Sequence, residues 1–253
     1  MIRTENLVKA FGEQEVLKGI TTEFYRGKTN LIIGRSGAGK TVLLKLLVGL
    51  FKPTSGNVYY DDQDFYHLSR KETRALRMKV GMLFQSSALF DSMTVEENIR
   101  FPLDMFTNMT RKEKLDRVNY CLDRVNLQGV NDKFPSETSG GMQKRVGIAR
   151  AIVLQPQYLF CDEPNSGLDP KTSIVIDELI RSITQENDIT TVINTHDMNS
   201  VMEIGENIIL LNKGLIAWSG NKEEVLHSDN EFLQDFIFAS PFLQRLREAA
   251  LQK

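Results

Sequence analysis

Strand-length apolar runs and helical stripes alternate along the 253-residue chain. The stretch 29–33 reads as a buried strand. Residues 42–50 read as a helix in which Leu43, Leu44, Leu46 and Leu47 share one stripe and Lys45 faces out. Ahead of them, Ile2, Leu7 and Val8 indicate a strand broken at Phe11-Gly12. Residues 16–20 and 22–25 read as further strands, and Arg26-Gly27-Lys28 as a turn. Past the helix, a turn at 52–56 leads into a short strand at 57–60. Mixed charge at 69–79 gives a surface helix. Residues 80–84 form an apolar strand with Gln85 at its end.

The next stretch carries no strand signal. Residues 86–92 are a loop holding Ala88, Leu89 and Phe90. Thr94-Val95-Glu96-Glu97 is a capping box that opens a short helix through Phe101, with Pro102 as its stop. Thr110-Arg111-Lys112-Glu113 opens a second helix with Leu115, Val118, Cys121, Leu122 and Val125 inward. Residues 86–127 therefore read as a helical subdomain inserted into an α/β domain. Leu89 and Phe90 are either its core or a contact surface for another chain. Ser139 then caps a helix running to about residue 154. Residues 158–163 are a buried strand ending in Asp162 and Glu163. Asn165 to Pro170 is a tight loop in which Asp169 caps the following helix, whose apolar positions are Ile174, Ile176, Leu179, Ile180 and Ile183. A β-branched strand at 190–194 precedes Thr195-His196-Asp197. A hairpin follows at 207–219. The end is helical, at 222–227, 230–238 and 241–251, the last capped by Ser240. Phe232, Leu233, Phe236, Ile237, Phe242, Leu243 and Leu246 make this tail apolar; it either packs on its own domain or reinforces a pair of chains.

Chemistry concentrates at Gly34-Arg35-Ser36-Gly37-Ala38-Gly39-Lys40-Thr41, which matches G-x-x-x-x-G-K-[ST] at every fixed position. Glycines let backbone N–H groups close on phosphates, and the helix starting at Lys40 adds the positive end of its dipole. Lys40 would reach the β- and γ-phosphates, and the Thr41 hydroxyl would hold Mg²⁺. The alternative is a chance glycine turn, which the strand–loop–helix setting opposes. Gln85, at a strand's carboxyl end, is placed to touch Mg²⁺ or the attacking water; taken singly it reads as merely solvated. Ser139-Gly140-Gly141 forms a second anion site at a helix start. Asp162 suits Mg²⁺ through water, and Glu163 suits polarising a water for in-line attack. Paired acids at a strand end also serve as caps, but the upstream loop favours the catalytic reading. His196 is a candidate γ-phosphate sensor, and Phe11 a candidate adenine stack; each has a plain structural reading beside it.

Composition narrows the partners. Hydrophobic content of 41% and charged content of 25% are ordinary globular values. A net charge of −2 announces no nucleic-acid partner. The first residues lack the apolar core of a signal peptide, and no apolar run approaches the roughly 20 residues of a membrane span. The expectation is a cytosolic chain whose membrane link comes through a partner. Cys121 and Cys161 carry no ligand spacing and read as core thiols in a reducing compartment.

In this order the motifs resemble those of the ATP-binding subunit of ATP-binding-cassette (ABC) transporters, over nearly the whole chain. The resemblance implies an α/β fold: an ABC-type P-loop nucleotide-binding domain with a RecA-like core, an antiparallel β lobe and a helical subdomain. It implies one domain over 1–253, with 1–85 and 128–220 as core and β lobe, 86–127 as helical subdomain and 221–253 as tail. Phe11 would be the adenine-stacking aromatic. Gly34 to Thr41, with Val42, would be Walker A, and Gln85 the Q-loop. Ser139-Gly140-Gly141 would be the signature, Asp162-Glu163 Walker B, Ser166-Gly167-Leu168-Asp169 the D-loop and His196 the switch histidine. ATP and Mg²⁺ would be bound, and a homodimer would work with a transmembrane permease at the cytoplasmic face of the inner membrane. The signature departs from L-S-G-G-Q, reading Thr138-Ser139-Gly140-Gly141-Met142. That segment through Arg145, and Gly81 to Phe90, look like the lipid-transport branch. It contains the ATPase of the maintenance-of-lipid-asymmetry (Mla) system and relatives serving mammalian-cell-entry (Mce) proteins, which implies an Mce-type lipid-binding partner. Asn165, where threonine or another residue is usual, receives no role. The alternatives are another ABC importer or exporter, a soluble non-transport ABC protein, or a non-catalytic cassette. A single cassette without long coiled-coil heptads weighs against translation and repair members. The presence of Glu163 and His196 weighs against an inactive one.

Overall fold

The computed structural model describes residues 1–238 together with Gln244, Arg245 and Arg247. The expected final helix at 241–251, with Ser240, Phe242, Leu243 and Leu246, lies outside the described residues. In chain order, strands β1 (Ile2–Phe11), β2 (Gln14–Phe24) and β3 (Thr29–Ile33) precede helix α1 (Lys40–Leu47). Strands β4 (Ser55–Tyr60) and β5 (Gln63–Asp64) lead to α2 (Arg70–Arg77) and β6 (Val80–Leu83). Helices α3 (Val95–Phe106), α4 (Arg111–Arg124) and α5 (Gly140–Ile152) come before β7 (Tyr158–Asp162) and α6 (Pro170–Glu186). The described chain closes with β8 (Thr190–Asn194), α7 (Met198–Ile204), β9 (Asn207–Asn212), β10 (Leu215–Gly220), α8 (Lys222–His227) and α9 (Glu231–Ile237). These elements divide between two compact units, Met1–Leu68 with Thr190–Lys253, and Ser69–Ile189.

In the first unit, β2, β1, β4 and β5 form an antiparallel sheet in that order. Ile2, Leu7, Leu17, Ile20 and Phe24 bury its apolar face. The sequence reading split β2 in two; it is one strand. Leu7 faces Ile20 and Val8 faces Lys18, so Gly19 is an extra residue, taken up as a bulge at φ 90. Phe11 does not break β1 either: it pairs with Gln14 as the last residue of the strand. In the unit's second group of strands, β3 runs parallel to both β8 and β9, and β10 returns antiparallel to β9. Every residue of β3 and β8 is buried, as expected of strands covered on both faces. The predicted leucine stripe of α1 is buried. Asn30, fully buried, donates to the carbonyls of Tyr25, Lys28 and Thr191 and accepts from Asn207, so its amide is satisfied.

In the second unit, β6 and β7 pair in parallel. α5 packs on β6, α3 and α4. Both predicted capping boxes form, at Thr94 with Glu97 and Thr110 with Glu113. The helix from Thr94 does not stop at Pro102; it continues to Phe106. The proline lacks the N–H that would bond Asn98, but Ile99 and Leu103 on either side of it are buried, and that packing carries the helix through. Two predicted core positions are at the surface instead, Leu115 at 36% and Ile174 at 59% exposure. Ser173 in α6 and Val118 in α4 take the nearest inward positions instead. Cys121 and Cys161 are buried free thiols, as expected. Burial pushes Cys121 up to about 11 and raises Cys161 still further, so both stay protonated at neutral pH. Among the described residues, no helix is long and apolar enough to cross a membrane.

Candidate functional site

The phosphate loop belongs to the first unit and spans from the end of β3 to the start of α1. Gly34 has φ 145, and a Cβ there would lie 2.4 Å from the Leu211 carbonyl oxygen, so only glycine fits. Gly39 takes the N-cap position of α1 at φ 105, and no side chain caps that helix. Its first-turn N–H groups are thus the donors an anion needs. Arg35, Ser36 and Gly37 are exposed at the loop's tip, whereas Gly34, Ala38 and Gly39 are buried at its base. Lys40 is buried and lies back across the loop, its Nζ donating to the carbonyls of Gly34 at 2.8 Å and Arg35 at 3.4 Å. An ammonium held by the loop's own carbonyls sits where a phosphate could exchange with them. Asn194, the last residue of β8, donates through Nδ2 to the Thr41 hydroxyl at 3.2 Å. The strand beside β3 therefore orients that hydroxyl. Val42 follows, half-buried in the first turn. His196 is exposed just past β8, where the Thr195 N–H bonds the Ile32 carbonyl at 3.1 Å. Phe11 is exposed with its ring edge-on to Phe51 at 5.5 Å, and Lys9 Nζ lies 4.8 Å from its centre.

The second unit carries Gln85, the Ser139 turn and the two acids. Gln85 is exposed, and its Nε2 donates to the Ser166 hydroxyl at 3.3 Å. Its carbonyl accepts from Lys144 Nζ, which also donates to the Glu163 carbonyl at 3.4 Å. Lys144 is only 4% exposed. Burial pulls its ammonium below the usual lysine range, with Cys161, Glu163 and Asp162 opposing. One buried cation thus ties Gln85, two residues past β6, to Glu163, the residue after β7. Beyond Gln85, Ser87 and Ala88 take φ 61 and φ 46, an uncommon backbone for side-chain-bearing residues. Arg150 holds them there, donating to the Ser87 carbonyl at 2.6 Å and the Ala88 carbonyl at 2.8 Å. Asp162 is buried at the end of β7. Glu163 follows, half-buried at φ 50, a strained backbone of the kind that clusters at functional positions.

Ser139 caps α5 as predicted, its hydroxyl accepting from the Met142 N–H at 3.3 Å. The two glycines after it differ. Gly140 has room for a Cβ, but one on Gly141 would fall 2.7 Å from Thr172 Cγ2 of α6. The second glycine therefore answers to helix packing as well as to donor exposure. Asp169 caps α6 through the Thr172 N–H at 3.1 Å. Asn165, given no role by the sequence, donates to the Asp177 carboxylate of α6 at 2.9 Å and anchors the loop between them.

Asn194, Lys144 and Arg150 are the supporting residues that sequence reasoning missed. Asn194 and Arg150 carry no local signal. Lys144 did: it falls in register with the buried Ile148 and Ile152, and a charge on an apolar helical stripe is worth questioning.

Loop, helix start and strand-end acids define the class first: a P-loop nucleotide-binding α/β protein. Residues 17–166 match the family model described as ABC transporter, and the chain belongs to that family. It is 39% identical over 236 residues to the probable ribonucleotide transport ATP-binding protein mkl of Mycobacterium leprae, covering 93% of this chain and 68% of that one. It is 38% identical to the methionine import ATP-binding protein MetN of Campylobacter jejuni, covering 96% and 77%. It is 36% identical to the chloroplastic protein trigalactosyldiacylglycerol 3 of Arabidopsis thaliana, covering 95% and 74%. Among solved structures, the dimeric bacterial ABC transporter cassette MJ0796 superposes with TM-score 0.81 at 33% identity, covering 88% of this chain and 99% of that one. The same cassette in a post-hydrolysis state bound to ADP and Pi superposes with TM-score 0.80.

Proposed function

We propose that this chain is the ATP-hydrolysing subunit of a membrane ABC transporter, working as a homodimer and powering lipid transport between membranes. The observation that carries the ATPase reading is the phosphate loop, with its glycine-only Gly34, Lys40 laid across it and Thr41 oriented by Asn194. MgATP fits this donor set. Among the described residues no cluster of three or more His, Cys, Asp or Glu could hold a metal, and Mg²⁺ at a nucleotide asks instead for one or two protein ligands plus phosphates. Thr41 and Asp162, with Gln85, would hold the ion, whose chemistry is to neutralise charge on the β- and γ-phosphates. Gly34 to Lys40 and Val42 wrap the triphosphate, and Phe11 stacks on adenine. Glu163 orients the attacking water and His196 senses the γ-phosphate. Ser139, Gly140 and Gly141 serve the nucleotide of a second copy, a reading supported by similarity to the dimeric cassette MJ0796.

The working division is the one read from sequence: core and β lobe at 1–85 and 128–220, helical subdomain at 86–127 and tail at 221–253. The subdomain meets a permease at the cytoplasmic face of the inner membrane. Lipid as cargo, with an Mce-type lipid-binding partner of the Mla kind, rests on the segments Gly81 to Phe90 and Ser139 to Arg145. The relative named for trigalactosyldiacylglycerol agrees with it. A second reading, import of a small solute, is favoured by the 38% identity to a methionine importer; the name of the mycobacterial relative points to ribonucleotides. Glu163→Gln in the assembled transporter tests the chemistry: nucleotide binding persists and most turnover disappears, since charge changes and shape hardly does. Near-normal turnover removes Glu163 from its role. For the cargo, the reconstituted complex is offered phospholipid, methionine or ribonucleotide. Stimulation of hydrolysis by phospholipid is expected, and stimulation by a small solute instead transfers the assignment to the second reading.

A further inference from the structure

Helix α2 and the residues after it carry Arg70, Lys71, Arg74, Arg77 and Lys79, all exposed. At about 100° per residue, Arg70, Arg74 and Arg77 fall on one stripe of the helix, with Lys71 and Met78 beside it. Leu76, on the far side, is buried, and Met78 is 38% exposed. Among the described residues none of the five cations takes part in an ion pair. Three other arginines of this unit do: Arg100 pairs with Glu96 and Asp104, Arg124 with Glu186, and Arg181 with Glu178, while Arg117, Arg145 and Arg150 are held by backbone carbonyls instead. The acid within α2, Glu72, does not compensate either. Its carboxylate turns back to accept the Ser69 N–H at 2.9 Å and completes the capping box.

Like charges spaced i and i+4 along a helix repel, so this stripe weakens α2 unless something negative lies opposite it. The whole chain has a net charge of −2, so the concentration of positive charge is local rather than a property of the surface at large. The stripe also has a definite neighbour. Arg77 lines a groove of about 450 Å³ whose other walls include Phe84, Phe90, Phe101 and Arg150. Phe90 and Phe101 belong to the segment 86–127 proposed to meet the permease, so the stripe borders the side that approaches the membrane. We infer that the α2 stripe binds the anionic phospholipid headgroups of the bilayer in which the permease sits. Long unpaired cations along an exposed helix face suit a diffuse headgroup layer, and Met78 adds apolar contact at its edge. The placement in the cell rests on the membrane-transporter reading; the binding itself does not require hydrolysis or a particular cargo.

The test is flotation of the purified chain with vesicles of phosphatidylcholine, and with vesicles in which part of it is replaced by phosphatidylglycerol. Binding to the anionic vesicles alone is expected, and raised salt should weaken it. Arg70→Glu/Lys71→Glu/Arg74→Glu should lower vesicle affinity by on the order of 100-fold or more. A charge-matched control, Arg111→Glu/Lys112→Glu/Lys133→Glu, should retain most of it. Circular dichroism and ATP hydrolysis, measured on each protein, show that the fold and the catalytic reading are tested separately. Absence of wild-type binding, or equal losses in both variants, overturns the inference. So does an α2 variant that still floats but no longer co-purifies with the permease, which would make the partner an acidic protein segment.

Discussion

At Lys144 an ammonium is buried with the carbonyls of Gln85 and Glu163 as its acceptors. Removing it leaves those two part-buried acceptors without their shared donor, so Lys144→Met should cost about 1–3 kcal/mol. Urea unfolding of the two proteins measures it. Turnover should fall too, because Gln85 and Glu163 lose their common tie. The pH dependence has a definite sign. The native Lys144 value is lowered from 10.5, so between that lowered value and 10.5 the unfolded chain binds more protons than the native one. Wild-type stability therefore gains a rising contribution with pH across that window, and the Lys144→Met protein lacks it.

Among the elements, α3 shows local and tertiary terms in opposition. Its Thr94 capping box favours the helix, Pro102 opposes it, and burial of Val95, Ile99 and Leu103 decides. Thr94→Ala should lower stability by about 1 kcal/mol, readable as a shift of the thermal midpoint. In α4 the buried Cys121 thiol has its value raised from 9.0 to about 11. The unfolded thiol ionises first, so this contribution is present below pH 9 and is lost as pH rises towards 11. Cys121→Ala should flatten the alkaline fall in thermal midpoint, despite a lower midpoint at neutral pH from the cavity it leaves.

For the molecule as a working whole, two outcomes matter. Phe90 is 42% exposed, its ring 5.1 Å from that of Phe101 in the groove beside α2. Phe90→Asp should leave the isolated subunit folded and release it from the permease, which co-purification would reveal. The Glu163→Gln subunit should form dimers with saturating MgATP, and adding Ser139→Glu should return it to monomers by placing a negative charge at an anion site. Sedimentation decides between the two; a Glu163→Gln protein that stays monomeric with MgATP and permease present defeats the pairing scheme.

Much of this was legible in the sequence because the signals are local. The phosphate loop, the caps at Thr94, Thr110, Ser139 and Asp169, and the buried stripe of α1 each depend on residues a few positions apart, where propensity, capping and periodicity act. The order of those motifs was enough to indicate the family. The tertiary structure decided what rests on distant neighbours. Pro102 stays inside a helix because flanking residues are buried, and β2 continues through Gly19 because β1 accommodates the bulge. Asn194 orients Thr41 from a strand 153 positions away. Carbonyls of Gln85 and Glu163, distant in sequence, converge on the Lys144 ammonium, and Thr172 of α6 comes close enough to Gly141 to crowd a Cβ there. The sequence names the groups; which of them meet is settled by packing between elements that no local pattern encodes.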